Sequence, residues 1–383
     1  MFVVCLLFLL CWLTNSKSFA QNHSDPIPLE FDYREESPIG PLQWNLVDIS
    51  GHEWEQYVGL EHINLDVPNN ECASIRRPAP INLVANAECF DTHEILTRKI
   101  RPTDCKLHDL DFTITSHTLR ATFPQSDSYC ERPTIDLPNG YPFAWFIHHI
   151  EVHIRAEHVL DGRRYDGEMQ MFHLGQQDQK REMATVSVML DASGFEDDTR
   201  LQEYIVEWQR VERETLTLCA LNESDRKVRR LQQARERSQP RERKLVERLA
   251  EDSKDPSDPF SKQAPRRLAN LQGWAPRRKM FPYSIWPTIY FYRYKGSLTA
   301  PPCSEIVSWR VLDEPLVISR SQWQELARLL HDYVDPETCQ NATLTSNKGE
   351  NARPMQQLNN EKQELVHCTE RNFGYRLYPP NMI

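Results

Sequence analysis

The chain lacks a second long hydrophobic run. Beyond the first twenty residues, no segment approaches the about 20 apolar residues that a membrane-spanning helix needs, so we expect no span once that segment is removed. The chain also lacks positive net charge: its formal balance is −10, with 26% charged residues. This balance argues against attraction to nucleic acid or acidic membranes. No internal repeat is visible.

The first twenty residues have the features of a cleaved signal peptide. Residues 2–13 form an apolar run, and Ser18 and Ala20 place small residues at the two positions that signal peptidase reads. A basic stretch before the run is missing, and the alternative is an N-terminal membrane anchor. We expect a protein that is secreted or held in the lumen of the secretory pathway. The tail, 374–383, is too short and polar for a lipid-anchor signal.

Eight cysteines remain after residue 20, namely Cys72, Cys89, Cys105, Cys130, Cys219, Cys303, Cys339 and Cys368. An even number in an exported chain predicts disulfides. Their spacing does not give the pairing, and free buried thiols are the alternative. Triplets that begin at Asn22, Asn222 and Asn341 are acceptors for N-glycosylation, so we expect a glycoprotein.

Strand-like alternation dominates the chain after a polar and flexible segment at 21–37. Apolar, β-branched and aromatic residues alternate with polar ones at 112–114, 119–123, 147–154, 168–173 and 185–190, which predicts strands. Apolar residues at helical spacing predict helices at 201–211 and 322–333.

A basic segment interrupts this pattern. Residues 225–250 carry ten basic and four acidic residues in an otherwise acidic chain, and prolines follow from Pro240 onward. We interpret 225–279 as a surface insertion that is partly helical, because a structureless loop of that length is uncommon in a compact domain. It is either a solvated charged arm or a docking site for an anionic or protein partner.

Two neighbouring predicted strands carry the residues that bear most on function. His149, Glu151 and His153 alternate along the first, and Glu168, Gln170 and Phe172 alternate along the second. Alternate residues of a strand point to one face. If the strands pair, both sets can therefore converge on one ion.

This strand pair resembles that of the α-type carbonic anhydrases. Besides the alternating residues, the matches are Glu157-His158, Asp161-Gly162, Tyr165, Glu168 and His173. Downstream, the sequence Tyr-Lys-Gly-Ser-Leu-Thr-Ala-Pro-Pro-Cys at 294–303 resembles a second family segment, and weaker matches lie at 80–83, 116–123 and 351–356. The resemblance implies a domain at 38–373 that is mainly β: a large twisted, mostly antiparallel central sheet, a few peripheral helices and a conical cleft over a metal.

The resemblance also implies where a zinc ion would bind. The three ligand histidines of the family fall on Glu151, His153 and Gln170, so one of three is kept. Zinc held by three histidines lowers the pKa of bound water to about 7. Glu151 subtracts a charge and Gln170 is a poor donor, so we expect weaker affinity. His149 could join this degraded site, and Glu168 matches the carboxylate that orients a ligand.

Further roles follow from the same resemblance. Thr299 and Glu157 match the hydroxyl and carboxylate that orient zinc-bound hydroxide for attack on CO₂. His117 matches the position of the proton-shuttling histidine. Cys72 and Cys303 match a disulfide of secreted members, which would brace the loop carrying Thr299.

The substrate pocket departs from the family pattern. Phe172 lies where the family has a small aliphatic residue beside the CO₂ pocket, and Leu298 and Trp309 are expected nearby. Since packed interiors leave few voids larger than a water molecule, the ring should fill the pocket.

Three functions remain open. The first is a secreted carbonic anhydrase-related pseudoenzyme kept for binding or structural work. The second is a metal-dependent enzyme that converts CO₂ to bicarbonate with a non-standard ligand set. The third is a binder of anions or polysaccharides through the basic run at 226–248.

Overall fold

The computed structural model describes residues 31–49, 70–87, 105–124, 130–135, 145–175, 183–237, 282–288 and 290–368. The expected signal peptide, most of the basic insertion beyond 237 and the tail at 374–383 lie outside these residues. No helix among the described residues is long and apolar enough to cross a membrane.

A ten-stranded sheet forms the centre of the described structure. The strands are β1 Asn82–Leu83, β2 Asp111–Ile114, β3 Leu119–Thr122, β4 Thr134–Ile135, β5 Trp145–Ile154, β6 Val159–Leu160, β7 Gly167–Gly175, β8 Met183–Gly194, β9 Phe291–Gly296, β10 Val307–Leu312, β11 Leu316–Ser319 and β12 Val366–Cys368. Along the sheet the order is β12-β9-β10-β8-β7-β5-β3-β2, with β11 added beside β8 and β4 beside β5, while β1 and β6 form a separate parallel pair. Only β10 and β11 pair parallel to β8; the other pairs of the large sheet are antiparallel. The expected mainly β, mostly antiparallel fold is confirmed.

The alternation of the central strands separates an apolar face from a polar face. Ile150 and Val152 of β5 and Met171 of β7 are fully buried in the larger apolar cluster, together with Trp208 and Leu326 from the two helices. Helices therefore cover this face. The intervening residues of the same strands point to the other side, and these are the polar residues singled out in the sequence.

Two α-helices pack against the sheet in the described residues: α1 at Thr199–Arg237 and α2 at Arg320–His331. In α1, Leu201, Tyr204, Ile205 and Trp208 are buried at the predicted helical spacing. The helix continues far past the predicted end at 211, because no proline or glycine lies between Thr199 and Pro240 to end it. The basic insertion expected from 225 thus begins inside a continuous helix.

The start of α2 is fixed by a capping box. The hydroxyl of Ser319 accepts from the backbone N–H of Gln322 at 3.1 Å, and the side chain of Gln322 reaches back to the Ser319 backbone. Two backbone donors that lack partners inside the helix are thereby satisfied.

The N-terminal boundary differs from expectation. Phe31, Asp32 and Tyr33 are buried, although they fall in the segment expected to be flexible. The rings of Phe31 and Tyr33 meet the indole of Trp44 edge-on, with centroids 5.7 and 5.3 Å away. Aromatic packing therefore fixes this part of the segment to the body.

Three disulfides are described: Cys72–Cys303, Cys105–Cys130 and Cys219–Cys339. The first is the pair that the family resemblance implied. Cys368 is also disulfide-bonded. Of the glycosylation acceptors, Asn222 and Asn341 are exposed, and Asn22 lies outside the described residues.

Candidate functional site

The register of the sheet brings the polar residues of four strands into adjacent rows. Glu151 pairs with Arg120 on one side and Gln170 on the other, and Gln170 pairs with Ser187. His153 pairs with Glu168, and His149 pairs with Phe172. Residues paired across strands share a face. The structure thus gathers all four proposed metal-ligand positions on one side of the sheet.

The pairing of Arg120 with Glu151 is the feature that sequence reasoning missed. The Arg120 Nε and Nη2 atoms lie 2.8 and 2.7 Å from Glu151 Oε1. Both side chains are more than 90% buried. Alternation places Arg120 on the polar face of β3, but only the register of β3 against β5 sets it opposite Glu151. The carboxylate that would approach a metal is therefore already neutralised by a guanidinium.

His153 is buried beside three carboxylates. Its Nδ1 lies 3.1 Å from the carbonyl oxygen of Asn351, which acts as the hydrogen-bond acceptor, and 3.7 Å from Glu157 Oε1. Its Nε2 lies 3.9 Å from Glu151 Oε2. Burial lowers the pKa of His153, but the negative charges of Glu157, Glu151 and Glu168 outweigh burial and raise it above the usual value. The environment favours the protonated imidazole.

His149 has the opposite environment. Burial and the neighbouring His148, Arg120 and His173 hold the pKa of His149 well below its usual value. The ring stacks on Phe172, with centroids 4.5 Å apart and an interplanar angle of 14°. In a regular strand His148 would point away, but β5 is irregular at this position and the two Nδ1 atoms lie 2.9 Å apart. His149 therefore stays neutral and packed against an aromatic ring.

Gln170 is oriented by carboxylates. Its Nε2 donates to Glu157 Oε2 at 2.8 Å and to Glu168 Oε1 at 3.0 Å. This leaves Oε1 as the free end of the amide: it is buried and makes no hydrogen bond within the described residues. The expected contact between Glu168 and Gln170 is present, and it leaves the neutral amide oxygen as the end of Gln170 that could approach a ligand.

Glu168 is the most heavily bonded carboxylate of the site. It accepts from His158 Nδ1 at 2.8 Å and from the Ser187 hydroxyl at 2.6 Å, besides the backbone N–H groups of Glu157 and His158. Burial raises the pKa of Glu168, but His158 and Ser187 more than reverse this and lower it to about 2. Glu168 thus remains ionised and links β7 to β8 through Ser187 and to the segment that follows β5 through His158.

Glu157 and Thr299 are both buried. Glu157 Oε2 accepts from the amide of Gln170, and its Oε1 accepts from the backbone N–H of Arg353 at 3.0 Å. Each oxygen of the carboxylate therefore has a donor that is not Thr299. Thr299 lies in the segment between β9 and β10, next to the disulfide formed by Cys303.

Asn351 and Arg353, which sequence analysis placed only in a weak match, tie the site together. Asn351 accepts from the backbone of Ile154 at 2.6 Å and donates to the His117 carbonyl at 2.6 Å. Arg353 donates to the carbonyls of Ala79 and Cys72 at 2.8 and 3.0 Å. Burial lowers the pKa of Arg353 to about 10, so it stays charged at neutral pH.

His117 and the pocket residues are closely packed. His117 is 4% exposed, and its ring meets Phe31 edge-on at 5.6 Å. Phe172, Leu298 and Trp309 belong to one buried apolar cluster. A residue placed to exchange protons with solvent and a pocket placed to admit CO₂ would both need more space than this packing leaves.

The donor set does not fit a catalytic zinc ion as it stands. Among the described residues, no group of three His, Cys, Asp or Glu side chains is arranged to hold a metal. More directly, a cationic guanidinium lies 2.7 Å from the Glu151 oxygen, where a divalent ion would meet like charge.

Comparisons with known proteins agree with the sheet architecture. A family model described as eukaryotic-type carbonic anhydrase matches residues 233–364. Carbonic anhydrase 4 of Rattus norvegicus is 37% identical over 81 residues, which are 21% of this chain and 24% of that protein. The chain thus matches only about a quarter of the length of such relatives. Alpha carbonic anhydrase 7 of Arabidopsis thaliana is 22% identical over 363 residues, 94% of this chain and 93% of the relative.

Among solved structures, dioscorin complexed with ascorbate has a TM-score of 0.50 at 20% identity and covers 88% of this chain and 98% of its own, a likeness of fold. The family model does not reach β5 and β7, so the altered ligand positions rest on the residue pattern and on the register of the sheet. It does include the segment at 294–303, and the alignment with the Arabidopsis relative spans nearly the whole chain. The chain is thus similar in sequence to the eukaryotic-type, or α-type, carbonic anhydrases, over 233–364 in the family model and over most of its length in the Arabidopsis relative.

Proposed function

We propose that this chain is an exported α-carbonic anhydrase-like protein with weak or no CO₂ hydration, whose cleft is kept for binding or structural work. The buried ion pair between Arg120 and Glu151 carries this proposal. A guanidinium takes the place of the metal as the charge partner of the carboxylate.

The energetics of this pair oppose metal binding. To bind a metal, Glu151 would have to leave Arg120, and a buried charge stripped of its partner costs about 3–5 kcal/mol. A retained guanidinium would in turn repel the incoming ion. Gln170 contributes little to zinc affinity, because it offers a neutral amide oxygen where the family has an imidazole.

The pocket adds a second obstacle. The ring of Phe172 stacks on His149, in the place where the resemblance puts the CO₂ pocket. Restoring metal ligands alone should therefore not restore hydration.

Restoration of the site tests the proposal stepwise. Zinc affinity by titration calorimetry and CO₂ hydration by stopped flow are measured for the native protein, for E151H/Q170H, and for E151H/Q170H with R120L and then F172V. We expect negligible CO₂ hydration by the native protein. Adding R120L to E151H/Q170H should raise zinc affinity about tenfold or more, corresponding to about 1.4 kcal/mol. CO₂ hydration should rise only when F172V is added as well. Fast hydration by the native protein would contradict the proposal.

A second candidate is a metal-dependent carbonic anhydrase that uses Glu151, His153, Gln170 and His149. One observation favours it: the buried Nε2 atoms of both histidines and the Oε1 atom of Gln170 make no hydrogen bond within the described residues. Stoichiometric zinc in the native protein, lost together with CO₂ hydration on chelation, would establish this candidate and remove the first.

Export is tested separately. The proposal predicts that the secreted protein begins at Gln21, as read by N-terminal sequencing. A protein retained in the membrane with residues 1–20 attached would show that the N-terminal segment is an anchor.

A further inference from the structure

The three described disulfides differ in their access to solvent. Cys105 and Cys130, which pair with each other, are 0% and 3% exposed, and Cys303 of a second pair is 0% exposed. In the third pair, Cys219–Cys339, both cysteines are half-buried, and the residues on either side of each cysteine are exposed. A thiolate must reach a sulfur atom to open a disulfide. Of the described pairs, Cys219–Cys339 is therefore the most accessible to a reductant in solution.

This disulfide holds α1 at the point where the helix leaves the rest of the described structure. Before it, Glu212 accepts from both terminal nitrogens of Arg328 in α2, at 2.6 and 2.8 Å, and this contact lies about 10 Å earlier along the helix. From Ala220 to Arg237, every side chain that the structure describes is exposed. We call residues 220–237 the exposed end of α1. Its position depends on the covalent bond at Cys219.

The turn that carries Cys339 is closed by its own hydrogen bonds. The backbone N–H of Cys339 donates to the carbonyl of Asp335 at 2.8 Å, and the backbone N–H of Asp335 donates to the carbonyl of Gln340 at 3.0 Å. The carboxylate of Asp335 accepts from the backbone N–H groups of Glu337 and Thr338, at 3.0 and 2.6 Å. Because these bonds do not involve the disulfide, opening it should leave the turn in place and act on α1.

We propose that Cys219–Cys339 is a redox-sensitive disulfide, which a dithiol reductant opens while the other described disulfides stay closed, so that the exposed end of α1 is released. A thiolate of the reductant attacks one sulfur atom and forms a mixed disulfide, and the displaced cysteine thiolate takes up a proton. The second thiol of the reductant then displaces the other cysteine. The protein gains two thiols and the reductant becomes a disulfide, with two electrons and two protons transferred.

The release stops before it reaches the cleft. Trp208 of α1 is fully buried and donates from Nε1 to the carbonyl of Arg120 at 3.0 Å. The ion pair of Glu212 with Arg328 lies between this contact and the disulfide. Helix ends without tertiary contacts fray readily, so the reduced helix should fray from Arg237 back toward Glu212. The proposal is therefore independent of whether the cleft binds a metal or hydrates CO₂.

Timed reduction of the native full-length protein with dithiothreitol tests the selectivity. New thiols are alkylated at each time point and identified by mass spectrometry of peptides, so the buried pairs serve as controls within one sample. Cys219 and Cys339 should become alkylated about tenfold or more faster than Cys105, Cys130 and Cys303, since exchange depends on access to the sulfur atoms. Reduction of either of the other described pairs at the same rate, or earlier, would overturn the proposal.

Limited cleavage by trypsin, after the dithiothreitol has been quenched and removed, tests the release. Reduction should raise cleavage within 220–237, where Lys227 and Arg230 are exposed, about tenfold or more, since cleavage follows the population of the locally open form. The matched control C219S/C339S should show the raised rate before dithiothreitol and no change after it. Selective reduction without faster cleavage would overturn the proposal. So would faster cleavage of the control after reduction, because another disulfide would then order the exposed end of α1.

Discussion

At the residue scale, the contact between Arg120 and Glu151 determines what the cleft can bind. The two opposite charges are buried together, and the Nε and Nη2 atoms of Arg120 both contact Oε1 of Glu151. Removal of one partner leaves the other charged and buried, whereas removal of both does not.

We therefore expect R120L to lower the free energy of unfolding by about 3–5 kcal/mol. R120L/E151L should cost much less, since no charge is left without a partner. Urea unfolding of the two single variants and the double variant measures the coupling. A loss below about 1 kcal/mol in R120L would mean that the pair is solvated and easily separated.

His173 lies on β7, on the same side of the strand as the apolar residues Met169 and Met171, and it gives the free energy of unfolding a pH dependence. It is fully buried, its Nδ1 donates to the carbonyl of Ala184 at 3.3 Å, and burial lowers its pKa to about 3. The pKa of a histidine in the unfolded chain is 6.5, whereas that of folded His173 is about 3. Between these two pH values, only the unfolded chain binds a proton at this residue. Stability therefore falls as the pH drops through this window.

His173→Gln should flatten this dependence. From pH 7 to pH 5 the native protein should lose about 2 kcal/mol more than the variant, as measured by urea unfolding at both values. Staying above pH 4.5 keeps the titration of carboxylates such as Glu168 out of the comparison. Parallel losses in both proteins would show that His173 is protonated in the folded state.

At the scale of elements, the strands that carry the site were predictable and the end of α1 was not. Strict alternation identified β5, β7 and β8 to within a few residues. The predicted helix at 201–211 covered only the part of α1 that packs on the sheet, because apolar spacing reports burial. The exposed continuation of the helix to Arg237 has no such pattern. Only the lack of proline and glycine between Thr199 and Pro240 indicated that the helix could continue.

The Cys219–Cys339 disulfide should control the order of the exposed end of α1 at 220–237. In C219S/C339S we expect faster cleavage by trypsin within 220–237, since helix ends without tertiary contacts fray readily. Cleavage of the sheet should be unchanged. Limited proteolysis with mass spectrometry measures both rates. An unaltered pattern would show that two other contacts of α1, from Trp208 to the carbonyl of Arg120 and from Arg328 to Glu212, suffice to order its end.

At the scale of the whole molecule, the Cys72–Cys303 disulfide joins residues 231 positions apart. It connects the N-terminal part of the domain to the loop that follows β9. Closing so long a loop restricts the unfolded chain strongly, so we expect C72A/C303A to lower the free energy of unfolding by about 2–5 kcal/mol. Calorimetry of the variant tests this, and an unchanged melting temperature would contradict it.

The sequence by itself determined the resemblance to the α-carbonic anhydrases, the mainly β fold and the residues that this resemblance puts at the metal positions, because alternation, motif spacing and residue type are local properties. Only the tertiary structure decided what those residues do. Arg120 reaches Glu151 through the register of β3 on β5, and Phe31 reaches His117 across 86 positions. Such contacts join segments that are distant in the chain, and no local pattern records which of them will meet.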